Sequence, residues 1–572
     1  MKKALVFLWF FGPWAVVAQS SYAPMNETYY HWIDRYEIKT GHTLPHLFTS
    51  VKPYKRSGIV SFLDSANQLG VFSSTTDRFN LEYFNNDNWE WSRPETNQSR
   101  KPFLKSLYKK KSDLVYVDIP EIDLHVNPVL YLGVGNDSRL DDMTFINTRG
   151  LEVRGMLDGK VGFYTYLSEN QTQVPLFISE TIREDSTRGY YPVIPHEGFW
   201  KSFKEDQGYD FFQARGYISF EATKHINLQL GHDRFFIGNG YRSLIFSDFS
   251  TPGWFFKGNV KVWKLNYMFL LNQFTADVKG NSGGLTSVQG GYPNKFVSMH
   301  HLSINIGKKW NIGVFESVVS SPDETENGSF RLDYLNPIIF YRAIEQQNGS
   351  SDNVLLGLDF KWNAFKGIQF YGQFVLDEFL LDFVTDGNGW WANKFGVQFG
   401  GKYIDAFGLP NLDLQAEANV VRPYTYSHST KYGSYSNYNQ AIAHPLGANF
   451  KELIGIVRYQ PIPRLNLVGK LIYIKTGRDT TSYNFGGDIL KDNSYRNTYS
   501  SDSNFGNTIA QGVSNTISFA SFIASFQVKH NLFIDATLVL RRSESEAATF
   551  NSNSTITSLA LRWNIAQRLY EF

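Results

Sequence analysis

From roughly Leu124 onward, apolar and polar residues alternate along the chain with a period of two. In "NLDLQAEANV", Leu412, Leu414, Ala416, Ala418 and Val420 share one face, and Asp413, Gln415, Glu417 and Asn419 share the other. "GIQFYGQFVLDEF" sets Ile368, Phe370, Phe374 and Leu376 against Gln369, Gln373 and Asp377, and "NLFIDATLVLRR" and "TITSLALRWNI" repeat the pattern near the C-terminus. Successive side chains of a strand point to opposite sides, so the alternation predicts strands whose two faces meet different surroundings.

Short turns are expected at 157–160, 222–225, 307–310, 363–367, 406–411, 461–464 and 529–531, with one more near Lys264. Between these hairpins fall long polar segments at 169–210, 235–255, 275–295, 321–352, 423–450 and 477–513. Short and long connections that take turns are the signature of an outer-membrane β-barrel with tight periplasmic turns and long outer loops. Counting on this scheme predicts an all-β, antiparallel transmembrane barrel of about 18 strands, from near Leu124 to near Ala566. An even number leaves both ends of the barrel on the periplasmic side. The tail "AQRLYEF" breaks the alternation and calls for a bulge or a short segment beyond the barrel. A propeller would repeat at a fixed period with blade motifs, and the sequence has none.

Residues 21–120 read differently. "YYHWIDRYEI" and "SGIVSFLDSANQ" have helical spacing, broken by "TLPH" and "KPYKRSG". The expected organisation is a signal peptide at 1–18, a small helical periplasmic segment at 19–120, and the barrel with its outer loops at 121–572. Lys2 and Lys3 before the apolar run Ala4–Val17, with Val16-Val17-Ala18 as the cleavage site, carry the signal-peptide reading. The location expected is therefore the outer membrane of a Gram-negative bacterium.

Composition sharpens this picture. Aromatic residues make up 16% of the chain, yet mean hydropathy is only -0.31, as suits strands apolar on one face. There is no cysteine, which excludes a disulfide framework and a lipid-anchored N-terminal cysteine. A net charge of +1 gives no bulk attraction for nucleic acid. The basic run Lys101–Lys111 reads as a solvated periplasmic face, with contact to anionic outer-membrane lipid as the alternative.

No enzyme, metal or cofactor site is expected. "FIGNGYRS" lacks the third glycine of a dinucleotide fingerprint, and no nucleophile elbow or P-loop is present. His300 and His301 are adjacent on a strand and point to opposite faces, so they cannot share a metal. Asp377, Glu378 and Asp382 could be imagined as a glycosidase pair, but Asp377 and Glu378 also face opposite sides.

The loops are more informative. Residues 420–450 are rich in tyrosine, with His428, His444 and several asparagines. Aromatic faces stack on sugar rings while amides and guanidinium groups satisfy hydroxyls. An interfacial aromatic girdle with polar loop packing is the competing reading, and composition alone leaves both open.

The stretch "GHDRFFIGNGYRSLIFSDFS" (231–250) resembles the signature of Wzi-family capsule-assembly outer-membrane proteins. An Asp-Arg-aromatic-aromatic group, here Asp233, Arg234, Phe235 and Phe236, leads into Gly238 and Gly240 and then Ser243, Leu244, Ile245 and Ser247. "RLDYLNPIIFYRA", "LDEF", "WWANKFG" and "RPYTYSH…HPLGANF" resemble the branch containing the gliding-motility protein RemB. The resemblance implies an 18-stranded barrel with periplasmic helices and a non-enzymatic, lectin-like protein that binds and retains capsular or other surface polysaccharide, with a link to gliding.

On this reading Arg422, Tyr424, Tyr426, His428 and Arg242 are the expected polysaccharide contacts. Asp233 and Arg234 brace the loop, Gly238 and Gly240 let it fold tightly, and the loop turns inward to help close the lumen. Two other readings stand beside it. One is a channel for a small or oligomeric solute, its open lumen lined by Gln369, Gln373, Asp377, Asp413, Gln415 and Glu417. The other is a non-lectin component of a motility or export machinery, with protein partners at the periplasmic helices.

Overall fold

The computed structural model describes residues 20–187, 190, 193–203, 208–278, 292–320, 332–336, 340–348, 352–380, 382, 387–480, 483–493, 496 and 504–572. The expected signal peptide at 1–18 lies outside them.

Eighteen antiparallel strands close into a barrel, from Ile122–Asp137 to Ser552–Trp563. The last strand pairs with the first, with Trp563 opposite Leu130, so the wall has no free edge. Closure satisfies every ladder hydrogen bond internally, as a bilayer demands. The alternation of the sequence maps directly onto the wall. Asp413, Gln415, Glu417 and Asn419 are buried inside, while Phe399, Leu453, Leu471 and Leu559 are exposed on the outside. That is the inverse of a soluble core and fits an apolar band facing lipid. Aromatic residues crowd the short-turn rim, where Trp310 stacks on Trp362 with ring centroids 4.7 Å apart and Trp263 and Phe407 stand exposed.

Among the described residues four α-helices precede the barrel: α1 (Glu27–Thr40), α2 (Arg56–Gln68), α3 (Thr75–Asp87) and the single turn α4 (Trp89–Ser92). Asn26 caps α1 by accepting from Tyr29 N–H, and Ser74 with Asp77 forms a capping box on α3. The first two match the helical spacing of the sequence. They precede the barrel in the chain, as expected, and α1 is held in one end of it. Arg35 of α1 is paired with Asp413 and Asp405, Lys402 Nζ lies 2.6 Å from Asp34, and Lys361 Nζ lies 2.8 Å from Glu37. All of those partners belong to the barrel, and Asp413, Lys402 and Lys361 face its interior, so α1 plugs the short-turn end of the lumen. Long-range ion pairs of this kind leave no trace in local periodicity.

The tail after Trp563 does not extend the wall either. It turns back into the lumen, where Arg568 reaches Asn170 at 2.9 Å and Glu571 meets Lys470 at 3.1 Å.

Outside the wall, residues 332–336 and 340–348 lie against the flank. Tyr341 and Arg342 N–H groups donate to Glu316 at 2.8 Å each, and the Tyr341 ring lies 4.1 Å from the ring of His300. A carboxylate and an imidazole on the lipid side of the wall are thus covered by protein, as burial in an apolar surrounding requires.

Candidate functional site

The strand Ile226–Asp233 ends in the loop that carries the Asp-Arg-Phe-Phe group. Asp233 accepts from Arg234 N–H at 2.9 Å and lies 3.7 Å from Arg215, while Arg234 donates to the His196 carbonyl. The loop then dives into the lumen. There Phe236 and Ile237 pair with Lys52 and Val51 of the N-terminal segment as a two-stranded sheet, and Gly238 N–H donates to Ser50 O at 2.7 Å. A segment entering from the outer side and one entering from the periplasmic side therefore meet in mid-lumen.

Two glycines make this path available. Gly238 has φ +138°, a region in which a β-carbon would collide with the amide of Gln373. At Gly240 a β-carbon would sit 2.7 Å from Glu417 Oε2 and 2.8 Å from Arg242 O. Gln373 clamps the turn with both ends of its amide, donating to Ile237 O at 2.9 Å and accepting from Leu244 N–H at 2.7 Å. Glu417 accepts from the N–H groups of Tyr241 at 2.6 Å and Arg242 at 3.0 Å.

Arg242 is buried in the lumen. Its guanidinium lies 2.6 Å from Glu571 and 3.3 Å from Glu452. Burial disfavours its charge, but Glu571 and Glu452 outweigh that and hold its pKa above the usual range. Burial likewise pushes the Glu571 carboxyl up, and Lys470 and Arg242 more than reverse it. The C-terminal tail, the inward loop and the wall thus share one ion network, which places Arg242 inside the barrel rather than at an outer contact surface.

The tyrosine-rich loop Arg422–Asn449 tells a similar story. Tyr424 and Tyr426 are each 1% exposed, and both have left-handed backbone, with φ +66° and +71°. The Tyr426 hydroxyl donates to Leu244 O at 2.7 Å and its N–H to Asp377 at 2.8 Å, and the Tyr424 hydroxyl donates to Asn484 O at 3.0 Å. Their rings are therefore packed inward and brace the loops, which corrects the expectation that they face a ligand. Arg422 is half-buried and donates to the carbonyls of Asn393 and Trp390. His428 is half-buried, with burial lowering its pKa first and Lys394 second.

The six polar residues of the channel reading all line the interior, and all are occupied. Gln373, Asp377 and Glu417 hold loops as described, and Asp413 holds Arg35 and His31. Gln369 bonds Asn363, and Gln415 bonds Tyr371 and Arg458. Within the lumen a cavity of about 410 Å³ lies between α1, the inward loop and the tail. His301 points inward to Asp359 at 2.6 Å and His300 outward, as their adjacency requires. Among the described residues no group of three or more His, Asp or Glu is placed to hold a metal.

Sequence reasoning missed one cluster. Trp390 and Trp391 come together with Phe505 and Arg496 at the outer rim. The "WW" pair was the visible half, and its partners lie more than a hundred residues away.

No family model and no curated relative matches the sequence. The fold, by contrast, has solved counterparts. The chain is similar to Wzi of Escherichia coli, an outer-membrane protein involved in group 1 capsule assembly and described as a carbohydrate-binding β-barrel. The match has 12% identity, covers 96% of this chain and 100% of that one, and has a TM-score of 0.55. OprD of Pseudomonas aeruginosa aligns over 79% of this chain and 97% of its own at 10% identity and TM-score 0.41. OccAB1 of Acinetobacter baumannii aligns over 77% and 96% at 9% identity and TM-score 0.39. At these identities the likeness is one of fold. The chain is an outer-membrane-type β-barrel.

Proposed function

We propose that this barrel binds surface polysaccharide at its outer face and helps to hold it at the cell. The observation that carries the reading is the occupied lumen. α1, the inward loop and the C-terminal tail cross it in turn, and each of the six wall residues of the channel reading is bonded to one of them, to the tyrosine-rich outer loop or to a neighbour on the wall. A barrel closed this way offers its interlocked outer loops, not its interior, to a ligand. The carbohydrate-binding description of Wzi, matched over nearly the whole of both chains, supports the same reading. Retention would be multivalent, since weak contacts at many barrels hold a long repeating polymer strongly. A role in gliding would follow from polymer held at the surface, in line with the RemB-like motifs.

The lumen cavity favours a second reading, a gated path for a small solute. Conductance of the protein in planar bilayers tests it. Wild type closed at all voltages supports the sealed barrel, and steady single-channel steps would replace it with the channel.

A further inference from the structure

Three outer loops lock together at the rim. Trp391 N–H donates to Asn504 O at 2.8 Å, Gly506 N–H to Asn388 O at 2.8 Å, and Asn507 N–H to Gly389 O at 3.0 Å. These bonds join the loops that follow the strands Ile368–Glu378 and Leu465–Arg478, which are not neighbours in the wall. Arg422 ties in the third loop, donating to Asn393 O at 2.7 Å and Trp390 O at 3.1 Å. Arg496 bonds Asn504 of its own loop at 2.8 Å and reaches across to the first loop, its guanidinium 3.7 Å from the ring centre of Trp391.

This scaffold presents an aromatic pair. The rings of Trp390 and Phe505 lie 5.1 Å apart at an interplanar angle of 50°, with Phe505 41% exposed and Trp390 half-buried. One tryptophan and one phenylalanine fall far short of the roughly 800 Å² per partner that a stable protein interface takes. They do suit the apolar C–H face of one or two sugar rings. Asn388 and Asn504 lie two and one residues before them in the same loops; their side-chain oxygens accept from Trp390 N–H and Arg496, and their amide N–H groups can donate to hydroxyls. Backbone already fixed by cross-loop bonds leaves little ordering cost at binding.

We infer that Trp390 and Phe505 form a pyranose-binding platform for surface glycan. The inference rests on the polysaccharide reading above and assigns it a site. The pyranose has two possible sources, free surface polymer and the glycan of lipopolysaccharide in the surrounding leaflet.

The test uses the full-length protein in nanodiscs with two probes: polysaccharide shed by the bacterium that makes this chain, and its lipopolysaccharide. Affinity electrophoresis and tryptophan quenching report binding to wild type, Trp390→Ala, Phe505→Ala and Trp390→Phe. Each alanine variant is expected to bind roughly three- to tenfold more weakly, with Trp390→Phe keeping most of the affinity. An effect confined to one probe names the source. Phe505, being exposed, serves should Trp390→Ala fail to fold. Wild-type binding that both alanine variants share in full would overturn the platform and leave the polysaccharide reading standing. No binding of either probe by wild type would overturn both.

Discussion

Arg242 and Glu571 stand 2.6 Å apart in the middle of the lumen, although 329 residues separate them in the chain. One comes from a loop that enters from the outer face, the other from a tail that enters from the periplasmic rim. Their pairing makes closure of the barrel a property of both ends at once.

Breaking that pair should therefore both destabilise and loosen the seal. Arg242→Met leaves Glu571 with Lys470 and Tyr241, and Glu452 with His444 and Asn419, and loss of one member of a buried pair costs about 3–5 kcal/mol. Urea unfolding in detergent should show a loss near the lower end of that range. Adding Glu571→Gln should recover part of it, and planar bilayers should record brief openings in the single variant that wild type lacks.

Gly238→Ala should be harmful although it adds one methyl group. The left-handed backbone there and the closeness of the Gln373 amide both oppose a β-carbon, at a cost of about 1–3 kcal/mol. Limited proteolysis should cut the 234–252 loop in this variant under conditions that spare wild type. Equal resistance would mean that the loop is not held from inside.

Acid should release α1. Burial lowers the His31 pKa to about 4, helped by the nearby Arg458 and opposed by Asp413. The unfolded imidazole titrates near 6.5, so this part of the stability is complete above that pH and declines as pH falls towards 4. For Glu27 burial would raise the pKa, but Lys470 and Arg458 bring it to about 2. Its share is complete above about 4.5 and is lost between there and 2. Hydrogen exchange of residues 27–40 should quicken in two stages on acidification, and His31→Gln should abolish the upper one.

Tyr426→Phe isolates the hydrogen bond to Leu244 O and should cost about 1 kcal/mol. Tyr426→Ala should cost several times more, because it also empties the site of a ring that is 1% exposed. Thermal unfolding followed by near-ultraviolet circular dichroism separates the two. A surface-exposed, ligand-stacking tyrosine would leave stability unchanged in both variants.

The wall of this barrel was legible because a membrane strand writes both of its surroundings into alternate residues. Leu412 to Val421 reads correctly without any knowledge of its neighbours, and so does the parity that sets Asp413 and Glu417 inward. The contents of the lumen were not legible. Asp34, Arg35 and Glu37 look like the polar face of an amphipathic helix, and only partners more than three hundred residues on reveal that this face is buried. The same limit governs the loop at 420–450. Its composition announces aromatic contacts, but left-handed backbone at Tyr424 and Tyr426 decides that the rings turn inward. The glycines of the inward loop were readable as turning points, whereas the Gln373 and Glu417 clamps that receive them were visible only as lumen-facing polar residues.

The most direct test of the account is the partition of surface polysaccharide between cells and medium, in a deletion strain and in the same strain complemented with wild type. The account predicts that polymer moves into the medium on deletion and returns to the cells with the wild-type chain. Unchanged partition in the deletion strain would contradict it.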